Sequence, residues 1–125
     1  MKYWLFRLGL ALAAIFAPIQ GMLMACLCLV AFDLITGIAA AHKRKEQIKS
    51  AGLKQTVLKL FIYELVIAFS FIAQHYLMSD ALPIVNIVTG YIGVTEFLSI
   101  VENLNSVSGN NLLKALLERL SQTKQ

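Results

Sequence analysis

Charge is what this chain has little of. Asp, Glu, Lys and Arg make up 14% of it, against about 25% in an average soluble domain. Hydrophobic residues make up 58%, too many for so few polar side chains to cover in water. The composition therefore excludes an ordinary soluble protein and reads as an integral membrane protein, and 125 residues allow one domain. Cysteine occurs only as Cys26 and Cys28, two apart in an apolar run with no His near them in sequence. That excludes a metal site of the usual convergent kind and leaves them as small buried side chains. Proline is equally rare and marks breaks: Pro18, with Gly21, closes a first helix, and Pro83 suits an early helical position.

Catalytic signatures are missing as well. There is no Gly-rich phosphate loop, no HExxH and no Ser/His/Asp set able to converge. His42 and His75 belong to opposite ends of the expected helices. Neither an enzyme nor a bound cofactor is expected. The basic residues cluster, six of the eleven Lys and Arg falling between Lys43 and Lys59. No aromatic side chains interleave with that cluster, so it signals membrane orientation and not nucleic-acid binding.

What is present is long apolar runs. Residues 21–41 carry one charge, Asp33, and as a helix would extend about 31 Å, enough to cross a bilayer. Residues 56–78 and 82–103 form two further spans, joined by the tight connection Ser79-Asp80-Ala81. Residues 1–17 predict a retained short helix, about 22 Å long. Either it lies at the interface, anchored by Tyr3, Trp4 and Arg7, or it crosses a locally thinned bilayer. Residues 42–55 are polar, with a turn at Ser50-Ala51-Gly52. After a polar stretch, leucines at 112, 113, 116, 117 and 120 give residues 111–122 the pattern of an amphipathic helix, with Asn110 or Asn111 as its N-cap. The expected fold is an all-α membrane bundle of three long transmembrane helices, with a short N-terminal and an amphipathic C-terminal helix. The positive-inside rule puts the basic loop 42–55 and the C-terminus in the cytoplasm. Crossing by the first helix as well would bring every basic residue to that side.

Charges at hydrocarbon depth face protein or water in preference to lipid. Asp33, Glu64 and Glu96 each fall seven or eight residues from the cytoplasmic end of their spans, roughly 10–12 Å in. Three acids at one depth predict a layer, with Thr36, Thr56, Thr95 and Ser99 supplying hydroxyls and Lys59 or Arg7 a counter-charge. Such a layer either staples helices internally or lines a wet lumen between subunits. Gly9-xxx-Ala13, Gly21-xxx-Ala25 and Gly90 with Gly93 favour close helix packing.

Two motifs carry a family resemblance. Asp33-Leu34-Ile35-Thr36-Gly37 has the form Asp-x-x-Thr-Gly near the end of a span, followed by Ala39-Ala40-Ala41 and the loop Lys49-Ser50-Ala51-Gly52-Leu53-Lys54. Glu96-Phe97-Leu98-Ser99-Ile100-Val101-Glu102-Asn103 has the form Glu-x-x-Ser-Ile-x-Glu-Asn. In this order and spacing the chain resembles the toxin-secretion/phage-lysis holins over about residues 20 to 120. It departs in the tail, where Ser108-Gly109-Asn110-Asn111 replaces the Pro-containing segment frequent in that family. The resemblance implies a protein of the bacterial cytoplasmic membrane that forms a homo-oligomer in the lipid bilayer. It would open a lesion that releases a cell-wall hydrolase or collapses the membrane potential, with an endolysin pathway as partner. The residues expected in pore or assembly are Asp33, Thr36, Gly37, Lys59, Glu64, Glu96, Ser99, Glu102 and Asn103. A small ion or proton channel, and a membrane anchor docking a soluble partner, are the alternatives.

Overall fold

A computed structural model describes residues 2–109 and 111–123. Among them the regular structure is helical: α1 (Lys2–Phe16), α2 (Gln20–Lys43), α3 (Ser50–Ile72), α4 (Ile84–Ser108) and α5 (Leu112–Gln122). A 3-10 turn at Ala17–Ile19, holding Pro18, links α1 to α2, and a π-helical turn at Ala73–Leu77 extends α3. Gly21, expected to share in the break, lies inside α2. The stretches Lys2–Lys43, Ser50–Leu77 and Ile84–Ser108 are long and apolar enough to cross a membrane. The chain is a multi-pass membrane protein.

Both polar ends of the expected spans prove helical. α3 starts at Ser50, directly after the extended residue Lys49, so the turn expected at Ser50-Ala51-Gly52 is instead the first turn of that helix. α4 continues past Asn103 to Ser108 and stops where Gly109 takes a left-handed φ of 71°, a conformation glycine adopts without a Cβ clash. Residues 103–108 lose hydropathy, but no proline or glycine interrupts them before Gly109, so the helix outlasts the apolar run. Asn111 caps α5 by accepting from the Lys114 N–H at 3.0 Å; Asn110 and the side chains of Leu112 and Leu113 lie outside the described residues.

The core lies toward the α3–α4 hairpin. Ile19, Cys26, Val30, Ile67, Phe71, Val85 and Ile92 form one buried cluster, with Phe16, Leu60, Tyr63 and Val88 against it. The hairpin closes through Ser79 and Asp80, both at positive φ. Gln74 holds them: its Nε2 donates to Asp80 Oδ1 at 3.2 Å, and its Oε1 accepts from the Val85 N–H at 2.9 Å. At the other end the basic loop docks on α4, Lys43 Nζ donating to the Val107 carbonyl and Arg44 to Ser106 Oγ at 3.2 Å. α1 stands apart. It buries no residue, and its base is fixed where Phe16 tilts against Phe71, centroids 6.4 Å apart. With the turn at Pro18 and α2 it makes a stretch of 42 residues, about 63 Å and twice a hydrocarbon core, more than one straight crossing takes up.

Candidate functional site

Helical periodicity selects the side chains that meet. On α4, Glu96, Ser99 and Asn103 stand three and four residues apart and share a face. On α3, Lys59 and Tyr63 do the same, one turn apart. On α2, Asp33, Thr36 and Gly37 face that set.

Lys59 joins all three helices. Its Nζ donates to Asp33 Oδ2 at 2.8 Å and to Glu96 Oε2 at 2.9 Å. The remaining carboxylate oxygens are also supplied: Asp33 Oδ1 by Ser99 Oγ at 2.5 Å and Asn103 Nδ2 at 3.2 Å, Glu96 Oε1 by the Tyr63 hydroxyl at 2.9 Å. Asn103 Nδ2 also donates to Thr36 Oγ1 at 3.1 Å and to the Asp33 carbonyl at 3.2 Å. Thr36 in turn donates to the Phe32 carbonyl at 2.8 Å. A Cβ added at Gly37 would lie 3.5 Å from Asn103 Nδ2, an ordinary contact, so packing within the chain does not demand glycine there.

The two acids differ in access. Glu96 is sealed, 1% exposed. Asp33 stands on the wall of an open cleft of about 550 Å³ between α2 and the first turns of α3, lined also by Gly37, Lys49, Thr56, Ser99 and Asn103. A fully hydrogen-bonded charge cluster of this kind fixes three helices in register, because removing one partner leaves the others desolvated and unpaired. Nothing in it resembles an activated nucleophile. Among the described residues no group of His, Cys, Asp or Glu is placed to hold a metal ion.

Of the residues expected at the site, Asp33, Thr36, Lys59, Glu96, Ser99 and Asn103 converge, with Gly37 beside Asn103. Glu64 and Glu102 do not. Glu64 is half-buried on α3, Glu102 exposed on α4, and neither makes a hydrogen bond or ion pair among the described residues. Thr56 turns back on its own helix, donating to the Gly52 carbonyl at 3.1 Å, and Thr95 does likewise with the Tyr91 carbonyl at 2.9 Å. Arg7, the alternative counter-charge, is exposed on α1. Tyr63 was not among the expected residues; its position one turn beyond Lys59 was the available signal.

Against known proteins, a model of the bacteriophage holin family matches residues 10–125. No curated protein and no solved structure matches.

Proposed function

Because the chain belongs to the bacteriophage holin family, we propose that it self-assembles in the bacterial cytoplasmic membrane and opens a lesion there. The lesion lets a cell-wall hydrolase reach its substrate or collapses the membrane potential. The basic loop 42–55 and the C-terminus face the cytoplasm in this reading, and Asp80 faces outward, as the positive-inside rule asks.

The observation that carries the reading is the Lys59 bridge. The outward faces of the long helices are mostly apolar, with Phe32, Phe69 and Val94 exposed, and suit lipid. The polar groups able to line a water-filled opening are gathered inside, on Asp33, Lys59, Tyr63, Glu96 and Ser99. Parting α3 from α2 and α4 turns that inner surface toward water, which solvates the charges as they separate and offsets the broken ion pairs. The cleft beside Asp33 lies where α2 and the first turns of α3 already stand apart. That cleft also favours a second reading, a small channel using Asp33.

Inducible expression in bacteria, following viability, membrane potential and release of a cell-wall hydrolase, separates the two. A lesion gives abrupt loss of potential with hydrolase release and death. Steady conductance in viable cells, with the hydrolase retained, would establish the channel instead.

A further inference from the structure

We propose that copies of this chain join head to tail, a stripe on α3 of one copy lying against a stripe on α4 of the next. The proposal rests on the assembling-membrane-protein reading above and names the surface that would do it.

The α3 stripe is Lys54, Val57, Phe61 and Glu64, and the α4 stripe is Tyr91, Thr95, Leu98 and Glu102. Each recurs at spacings of three and four, so each runs along one face. All eight are exposed except the half-buried Glu64. Three of them are charges left over from the internal network: Lys54, Glu64 and Glu102 have no hydrogen bond or ion pair among the described residues. Glu64 lies midway along Ser50–Leu77, where hydrocarbon offers an acid no partner, and the nearby Lys59 is committed to Asp33 and Glu96.

Level fixes which groups meet. Gln74 Oε1 accepts from the Val85 N–H at 2.9 Å and the Tyr63 hydroxyl donates to Glu96 at 2.9 Å. These links stand equally far apart along both helices, which run in opposite directions through the short hairpin, and so define one register. Stepping along both helices at equal rise sets Glu64 level with Thr95, Phe61 with Leu98 and Val57 with Glu102. Rotation about the membrane normal keeps those levels between copies. The Thr95 hydroxyl donates within its own helix and keeps lone pairs for the Glu64 carboxyl proton. Lys54, one turn toward the basic loop, reaches Glu102 with its flexible stem. Apolar Phe61 and Leu98 meet between the two polar pairs. Unlike surfaces meeting this way repeat from copy to copy within the membrane, and close into a ring where the rotation between copies divides a full turn.

The test uses full-length chains in membranes, with Cys26 and Cys28 replaced by alanine. Differently tagged Phe61→Cys and Leu98→Cys chains are co-expressed and oxidised. A mixed disulfide carrying both tags is expected; its absence, while a parallel co-expression of Phe61→Cys with Arg7→Cys chains gives one, would overturn the assignment. In chains carrying both Phe61→Cys and Leu98→Cys and oxidised to an oligomer ladder, Lys54→Glu and Glu102→Lys singly are expected to lose the ladder, and the double exchange to restore it. Ladders unchanged by either single exchange, or not restored by the double one, would overturn the proposal. Crosslinking that behaves as expected in cells that survive would leave this interface standing and remove the lesion-forming reading.

Discussion

Lys59 is the residue on which the bundle's charge balance turns, because it is the cation shared by a sealed glutamate and a half-buried aspartate. Lys59→Met leaves both acids without a counter-charge, a change that costs about 3–5 kcal/mol for buried pairs in soluble proteins. We expect the detergent-solubilised variant to lose most of its thermal stability, measured by circular dichroism, and Glu96→Gln, which still accepts from Tyr63, to lose less. Equal melting of both variants would contradict this. Asp80 behaves differently, as it sits in the hairpin outside the spans. Hydrogen bonds from Gln74 and then His75 hold its carboxyl below its ordinary value. A depressed carboxyl stabilises the hairpin above the unfolded value, about 3.9, and that contribution is lost as pH falls through the folded value. Protection of the hairpin amides from hydrogen exchange, corrected for the intrinsic pH dependence of exchange, should accordingly fall only in strong acid, and Asp80→Asn should remove that dependence. Asp33 and Glu96 were legible in the sequence because a charge in an apolar run needs a partner. Tyr63 was not, because a tyrosine among apolar residues reads as ordinary membrane filling. Glu64 has the same sequence credentials as the other two acids, but only the packed helices show that it points away from Lys59.

At the scale of elements, the spans were legible and their polar ends were not. A hydropathy pattern stops where the side chains turn polar, whereas a helix is bounded where its backbone leaves helical angles, as at extended Lys49 and left-handed Gly109. The extra turns matter, since they bring Ser106 and Val107 to Arg44 and Lys43 and tie the basic loop to α4. α5 follows its expected pattern, with Leu116, Leu117 and Leu120 exposed on a helix whose other face is charged. That suits the inner-leaflet surface. Deleting residues 109–125 should therefore shift the onset of lysis without abolishing it, followed as culture turbidity after induction. Complete loss of oligomer crosslinks on deletion would make the tail an assembly element instead.

For the whole molecule, orientation and opening are the claims at stake. The family match and the three apolar stretches agree with the architecture read from composition and spacing, and the basic cluster sets the expected sidedness. Cysteine placed at position 80 should react with an impermeant reagent in intact cells while cysteine at position 47 does not; the reverse would overturn the orientation. The opening is tested most directly by the two native cysteines. Cys26 is buried on the inner face of α2, 4% exposed, and Cys28 is exposed on its outside. Each is followed alone, in Cys28→Ala and Cys26→Ala chains, with a water-soluble maleimide before and after lysis begins. If α3 parts from α2 and α4 so that the inner surface lines the lesion, neither thiol reacts beforehand, and afterwards Cys26 reacts while Cys28 stays silent. Reaction at Cys28 with Cys26 still protected would contradict the account.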